Sequence, residues 1–125
     1  MDRDPAFVFW LGQVLDDAGH LPLPAKSIGG ASALLDQLNL EIDLLIMDRS
    51  LEGASAFADT LRRSQGHLKV IAVIDEGEEP ISAFTEVDAS ECRPTNPDEV
   101  SRKRWLQTIK RVFDEPSRDT LSAHT

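Results

Sequence analysis

The feature that most constrains this chain is a short apolar segment, residues 44–47, with an aspartate at its carboxyl end. The segment reads Leu-Leu-Ile-Met; Asp48 follows it, and a turn ends at Gly53. An unbroken apolar run of this length, bounded by turn residues, is typical of a strand buried on both faces. Ligands of open parallel α/β sheets bind beyond the carboxyl ends of strands, which makes Asp48 a candidate for chemistry. The position also suits a helix N-cap or a solvated turn residue.

Segments of helical and strand periodicity alternate along the rest of the chain. Asp4 and Pro5 predict a helix start, and an apolar stripe at helical spacing continues from Phe7 to Ala18 before Gly19 ends it. The remaining predictions, in chain order, are a short edge strand at 21–26, a helix after Gly29-Gly30, a helix over 54–65, a buried strand at 68–74, an acidic loop at 75–80, a brief helix at 81–87, a strand at 89–92 and a last helix that starts at 94–97. This alternation predicts βαβ units and a parallel sheet.

The last helix carries an apolar stripe that predicts its buried face. The side chains on that stripe are Val100, Trp105, Leu106, Ile109, Val112 and Phe113. Beyond this stripe the chain becomes polar and unpatterned, which indicates a frayed tail.

Charge and cysteine content narrow the classes of partner. The 125 residues include 22 acidic and 13 basic side chains, for a net charge of −9, which repels phosphate backbones and anionic lipids. We therefore expect no nucleic-acid partner and no membrane partner. The single Cys92 forms no internal disulfide, and no apolar run has the length and flanks of a signal peptide or a membrane span. Both observations favour a cytoplasmic setting.

Three segments together resemble the receiver domain of bacterial two-component response regulators, over residues 1–113. Residues 43–53, DLLIMDRSLEG, are similar to the receiver segment around the phosphoacceptor aspartate, with Glu52 in place of the usual proline. Residues 93–100 resemble the receiver Lys-Pro motif and the start of its final helix, with arginine for lysine. Residues 1–5, MDRDP, are similar to the end of the first receiver strand, where two adjacent acidic residues help to hold Mg²⁺.

The resemblance implies a flavodoxin-like, doubly wound parallel sheet in one receiver-like domain over residues 1–113, with a disordered tail at 114–125. In that fold the first strand lies between the second and the third, yet only residues 1–3 of it are present. A missing central strand leaves two rows of backbone donors and acceptors to satisfy. We therefore expect residues upstream of Met1, pairing with a second copy as a homodimer, or closure of the second strand onto the third.

The resemblance also implies a chemistry. Asp48 would be the phosphoacceptor, which attacks a phosphohistidine as a nucleophile while Mg²⁺ offsets the charge of the phosphoryl oxygens. Asp2 matches the first acidic position, so Asp2 and Asp48 are the implied Mg²⁺ ligands. Arg3 occupies the second acidic position. A guanidinium does not ligate Mg²⁺, and that of Arg3 is able to pair with Asp48 instead, which puts the Mg²⁺ site in doubt.

Two more positions depart from the receiver pattern. Ile74 stands where the family has threonine or serine, and it has no hydroxyl to donate to a phosphoryl group. Arg93 keeps the positive charge of the receiver lysine but carries a wider, planar fork. The aromatic switch residue of the fifth strand is also missing, with Ser90 and Glu91 in that neighbourhood. These changes predict a degenerate receiver, a pseudo-receiver; a receiver still phosphorylated at Asp48 is the alternative.

Two functional classes follow. The first is a stand-alone, non-enzymatic signalling module of a two-component phosphorelay system, which binds a histidine kinase or a downstream signalling protein. The second is a small phosphotransfer or hydrolase enzyme with Asp48 as nucleophile, for instance a phosphatase of the haloacid-dehalogenase type. Such enzymes need an acid two residues after the nucleophile, and that position is Ser50 here. The sequence therefore favours the signalling module.

Overall fold

The computed structural model describes residues 2, 4–25, 27–38, 41–48, 50–75 and 87–114. Four helices and three strands occur in this part of the chain. In order they are α1 (Pro5–Asp17), α2 (Ile28–Leu38), β1 (Leu44–Asp48), α3 (Ala54–Ser64), β2 (Lys69–Asp75), β3 (Ala89–Arg93) and α4 (Glu99–Asp114). The predicted acidic loop beyond Asp75, the brief helix at 81–86 and the tail at 115–125 lie outside the described residues.

The three strands form a parallel sheet in the order β1-β2-β3, as the alternation of segments predicts. Leu44 lies opposite Lys69, and Ile71 lies opposite Ala89. Successive side chains of a strand point to opposite faces, so the apolar run of β1 serves two cores. Ile46 joins a core with α1, β2 and α4, whereas Leu45 and Met47 join a core with α3. The sheet is therefore covered by helices on both faces, as in a doubly wound α/β fold.

The start of α1 confirms the sequence prediction. Asp4 Oδ1 accepts hydrogen bonds from the backbone N–H groups of Ala6 at 3.0 Å and Phe7 at 3.4 Å, and Pro5 is the first helical residue. Gly19 follows the helix with φ of +88°, a conformation that glycine adopts at little cost. The glycine pair at 29–30, in contrast, lies inside the first turn of α2, after the helix start and not before it.

The final helix begins later than predicted, and two of its predicted core residues are exposed. α4 begins at Glu99, after the predicted start, and Asp98 caps it by accepting hydrogen bonds from the Ser101 backbone N–H and hydroxyl at 2.8 and 2.9 Å. These bonds, chiefly the one from the backbone, lower the pKa of the Asp98 carboxyl. Val100, in the first turn, is 69% exposed, and Phe113, in the last, is 39% exposed. Their prediction as core residues is wrong. Val100 lies about 140° around the helix from Trp105, and Phe113 lies in the last turn, where its ring stacks on His20.

The predicted edge strand at residues 21–26 is also wrong, since residues 21–25 form no strand. Pro22 and Pro24 have no N–H group, so the segment has two fewer donors for a strand ladder. A backbone hydrogen bond joins the segment to the N-terminal residues, from Asp2 N to Ala25 O at 3.2 Å. Closure of this segment onto β1 is likewise not seen in the described part of the sheet, where β1 has β2 as its only strand neighbour.

Gly53 gives a test of the turn that joins β1 to α3. Its φ is +81°, and a Cβ added there would lie 3.4 Å from Ile28 Cδ1. We expect Gly53→Ala to lower the free energy of unfolding by about 1 kcal/mol, because the left-handed backbone disfavours a side chain. Gly12→Ala, inside α1 with no atom within 4 Å of the added Cβ, is the control. It should stabilise the protein by up to about 1 kcal/mol in urea denaturation, and destabilisation of similar size in both variants would contradict the explanation.

Candidate functional site

Three strand ends place polar side chains at one edge of the sheet. β1 ends at Asp48, β2 at Asp75 and β3 at Arg93, and the carboxyl ends of parallel strands share an edge. Asp2, two residues before the Asp4 N-cap of α1, reaches the same edge. We call these four residues the acidic pocket. The sequence analysis predicts three of them, Asp2, Asp48 and Arg93, as site residues, and the structure brings these three together.

Arg93 is the centre of the acidic pocket. Its Nη2 donates to Asp2 Oδ2 at 2.7 Å and to Asp48 Oδ2 at 3.0 Å, and its Nη1 donates to Asp75 Oδ1. The guanidinium carbon also lies 5.6 Å from the centroid of the Phe7 ring. One side chain thus connects the N-terminal segment, β1 and β2. Three carboxylates against one guanidinium give the acidic pocket a formal net charge of −2.

Most of the charged groups in these ion pairs are shielded from water, which raises the cost of losing a partner. The side chains of Asp2 and Asp48 are 2% and 6% exposed, and that of Arg93 is 15% exposed, whereas Asp75 is 58% exposed. A buried carboxylate is costly unless an opposite charge and hydrogen bonds satisfy it. Desolvation lowers the pKa of Arg93, but the hydrogen bond to Asp2 and the charges of Asp2, Asp75 and Asp48 outweigh it, so the pKa is raised. The guanidinium therefore keeps its charge in the acidic pocket.

The second oxygen of Asp48 is held by the turn that follows β1. Asp48 Oδ1 accepts hydrogen bonds from the Ser50 backbone N–H at 2.9 Å and from the Ser50 hydroxyl at 2.6 Å. Asp48 therefore has a local turn role as well as its place in the acidic pocket. It is not the N-cap of α3, since Gly53 takes that position. Both carboxylate oxygens of Asp48 are engaged by neighbouring side chains or backbone.

The remaining site predictions have different outcomes. Ile74 is 5% exposed, lies opposite Cys92 in the sheet and offers no hydrogen-bonding group near the strand ends. Arg3, expected as a partner of Asp48, lies outside the described residues. The sequence pattern predicts Asp75 as the start of a loop and not as a site residue. A sequence feature that indicates its place in the acidic pocket is its position: Asp75 directly follows the apolar run of β2, as Asp48 follows that of β1.

The residues of the acidic pocket do not fit the Mg²⁺ site that the resemblance implies. Both implied ligands, Asp2 and Asp48, accept hydrogen bonds from the Arg93 guanidinium through an oxygen that Mg²⁺ would need. Among the described residues, no group of three or more histidine, cysteine, aspartate or glutamate side chains is arranged to hold a metal ion. A cation is present in the acidic pocket, but a side chain supplies it.

The strand that carries Arg93 is tied to α4 behind the acidic pocket. Trp105 Nε1 donates to the backbone carbonyl of Cys92 at 2.9 Å. Glu91 accepts a hydrogen bond from the Thr108 hydroxyl at 2.7 Å and pairs with Arg104 Nε at 2.9 Å. Near the position where a receiver carries its aromatic switch, this chain therefore has a glutamate bound to two residues of α4.

A second concave feature is a cleft of about 360 Å³ beside β1. Its lining includes Leu44 and Ile46 of β1, Leu23 and Ala25 of the 21–25 segment, Leu11 of α1 and Leu34 of α2. No described strand lies next to β1 on this side. The cleft occupies the region in which the sequence analysis expects the missing first strand.

Comparison with known proteins supports the fold. The chain is similar to a response regulator receiver domain protein from Clostridium thermocellum, with a TM-score of 0.69 and 17% identity over 96% of this chain and 93% of that chain. It is also similar to the N-terminal domain of a response regulator receiver protein from Methanoculleus marisnigri JR1, with a TM-score of 0.55 and 16% identity over 92% and 94% of the two chains. No protein-family model matches the sequence, and no curated protein matches it.

These likenesses show that the chain has the receiver fold, the flavodoxin-like α/β fold that the sequence analysis predicts. Among the described residues, no helix is long and apolar enough to cross a membrane.

Proposed function

We propose that this chain is a receiver-type module of two-component signalling that works by binding another protein, with phosphorylation at Asp48 weakened or lost. The receiver fold supports the signalling role. The observation that carries the rest is the Arg93 guanidinium on Asp48 Oδ2, together with the two Ser50 hydrogen bonds on Oδ1.

The contacts of Asp48 bear on its value as a nucleophile. A carboxylate that attacks a phosphoryl group must present an oxygen lone pair to phosphorus. From the described residues the two oxygens accept three hydrogen bonds, one of them from the Arg93 guanidinium. Those hydrogen bonds stabilise the Asp48 carboxylate before it attacks, which lowers its reactivity as a nucleophile. Ile74 provides no hydroxyl to hold the transferred phosphoryl group. The proposal therefore assigns the acidic pocket a structural role in place of phosphotransfer.

The surface around β3 and α4 is the one we assign to a protein partner. α4 presents Val100 to solvent together with basic side chains, in a chain whose net charge is −9. Lys103, Lys110 and Arg111 are exposed along this helix. Interfaces combine an apolar contact with charged groups that orient the partner, so an acidic surface on a histidine kinase or a downstream signalling protein fits this helix.

The enzyme alternative receives less support from the turn after β1. A phosphatase that uses an aspartate nucleophile needs a carboxylic acid nearby to protonate the leaving group. The corresponding residue, Ser50, donates its hydroxyl to Asp48 itself at 2.6 Å. We therefore propose binding without turnover. Phosphatase activity that Asp48→Asn abolishes would overturn this assignment.

Intact-mass spectrometry tests the proposal. The protein is incubated with Mg²⁺ and acetyl phosphate, beside Asp48→Asn and a phosphorylatable receiver as assay control. We expect no phosphoryl adduct on the wild-type chain, because Arg93 and Ser50 hold both oxygens of Asp48. A wild-type adduct as complete as that of the control receiver, and absent from Asp48→Asn, would show an unimpaired phosphoacceptor and contradict the proposal.

We also propose a second copy of the chain as a partner, in a cytoplasmic homodimer. In the described sheet, β1 has a strand neighbour on one side only. Residues 44–47 of β1 include none of the charged residues or prolines that commonly protect an edge strand from pairing. Two identical edges related by a two-fold axis are self-complementary. Light scattering should give a dimer that Leu44→Lys weakens. A monomer at every concentration would contradict it.

A further inference from the structure

The acidic pocket needs a cation because two of its carboxylates have almost no contact with water. Asp2 and Asp48 are 2% and 6% exposed, and only an opposite charge makes such burial tolerable for an ionised group. Asp2 also accepts a hydrogen bond from the Asp4 backbone N–H at 2.9 Å, through its other oxygen. The question is which cation this chain uses.

Arg93 supplies this cation, and its planar guanidinium contacts several carboxylates at once in a way that a compact cation would not. Nη2 is shared between Asp2 and Asp48, and Nη1 reaches Asp75, so the planar fork serves three carboxylates from three segments. Nε, in contrast, is buried without a hydrogen-bond partner within the described structure. An unpaired buried N–H is costly. Its presence indicates that the carboxylates, and not Nε, determine how the guanidinium lies.

Packing holds the guanidinium in that position. The Phe7 ring lies 5.6 Å from the guanidinium carbon and 5.7 Å from the Trp105 ring, which is fully buried. Trp105 in turn donates to the carbonyl of Cys92, the residue before Arg93. Withdrawal of the Arg93 side chain would therefore break three ion pairs and a contact with an aromatic ring. The guanidinium is a fixed part of the folded structure.

We propose that Arg93 is the resident cation of the acidic pocket and that the folded protein takes up no divalent cation there. A metal ion and the guanidinium compete for the same oxygens of Asp2 and Asp48. The metal would have to displace two charge-assisted hydrogen bonds before it gained any ligand. The inference deepens the proposed function and rests on it only in taking Asp48 as the equivalent of the receiver phosphoacceptor.

The experiment removes the resident cation and asks whether a metal replaces it. Mn²⁺ binding is followed by the electron paramagnetic resonance signal of free Mn²⁺, and thermal unfolding is followed by circular dichroism with and without millimolar Mg²⁺. The proteins are the wild type, Arg93→Ala and Arg93→Ala with Asp48→Asn. We expect no Mg²⁺-dependent shift for the wild type and a rise in Tm of about 5 °C for Arg93→Ala. The double variant should lose most of that rise.

A variant that keeps a positive charge protects the test against a failure to fold. Arg93→Lys retains a cation but has no fork to hold Asp2 and Asp48 at once. We expect it to fold and to bind Mn²⁺ with a measurable Kd, at Mn²⁺ concentrations at which the wild type shows no binding. Stoichiometric Mn²⁺ binding to the wild type that Asp48→Asn abolishes would overturn the inference. So would the absence of any Mn²⁺ binding by both Arg93→Lys and Arg93→Ala.

The two proposals fail in different measurements. Phosphorylation of wild-type Asp48 as complete as that of the control receiver would contradict the proposed function, and metal uptake by the wild type would contradict the resident cation. Adduct formation with no Mn²⁺ bound would leave Arg93 as the cation of a pocket that still accepts phosphate. Mn²⁺ uptake with no adduct would leave the binding function in place and reassign the cation.

Discussion

Arg93→Ala should lower the free energy of unfolding by about 3–5 kcal/mol, the range found when one partner of a buried ion pair is removed. The variant removes the Arg93 guanidinium from the carboxyl groups of Asp2 and Asp48, whose side chains are 2% and 6% exposed. It also removes the charge beside the Phe7 ring. Urea denaturation followed by circular dichroism, in metal-free buffer, measures the change.

Two controls separate the effect of removing a buried positive charge from the effect of replacing any arginine with alanine. Arg63→Ala removes an exposed arginine of α3 and should change the free energy of unfolding by no more than about 0.5 kcal/mol. Arg93→Ala combined with Asp2→Asn and Asp48→Asn should regain much of the lost stability, because neutral amides replace the uncompensated carboxylates. An equal loss in the combined variant and in Arg93→Ala would show that lost packing, and not charge, explains the effect.

Trp105→Ala should destabilise the protein by about 3–5 kcal/mol, as expected when a large aromatic side chain is removed from a core. Trp105 is fully buried, packs 5.7 Å from the Phe7 ring and donates its indole N–H to Cys92 O. Its loss opens a cavity between α1, α4 and the sheet and removes a bond that ties α4 to β3. Denaturation followed by far-ultraviolet circular dichroism measures the change without relying on tryptophan fluorescence.

Matched variants divide the Trp105 effect into its parts. Trp105→Phe keeps most of the apolar contact but removes the donor to the Cys92 carbonyl, which should cost about 1–3 kcal/mol. Val100→Ala, on the same helix at 69% exposure, should have an effect within about 0.5 kcal/mol. If Val100→Ala were as costly as Trp105→Ala, the assigned buried face of α4 would be incorrect.

The two large effects should not be additive. Phe7 contacts both the Arg93 guanidinium and the Trp105 ring, so each variant alters the surroundings of the other residue. Neighbouring sites that share a packing partner commonly show coupling energies of about 0.5–3 kcal/mol. The doubly substituted protein should therefore depart from the sum of the single effects by an amount in this range, which would link the acidic pocket to the core of α4.

Local patterns were sufficient for most of the helices and strands. The apolar runs of β1 and β2 predicted strands buried on both faces, and those strands lie in two cores. Asp4 with Pro5 predicted the cap of α1, and the structure confirms it. Each of these features depends on residues a few positions apart, where backbone preference and side-chain periodicity act directly.

The sequence was less informative wherever the outcome depended on distant segments. The apolar stripe of α4 included Val100 and Phe113, yet their exposure depends on where the helix begins and on how it meets α1 and β3. Residues 21–25 carry strand-like apolar spacing, but they include two prolines and pair with no strand of the described sheet.

Residue patterns alone predict the parallel α/β character of this protein, its carboxylates at the strand ends and its departure from the receiver pattern at Ile74 and Arg93. Which cation contacts Asp48 depends on the folded arrangement of the chain. Arg93 and Asp2 are 91 positions apart, and Arg93 and Asp48 are 45 apart. Periodicity fixes which way a side chain points from its own strand. The partner of a buried charge is fixed by how the strand ends converge in space, and that depends on the packing of the whole sheet.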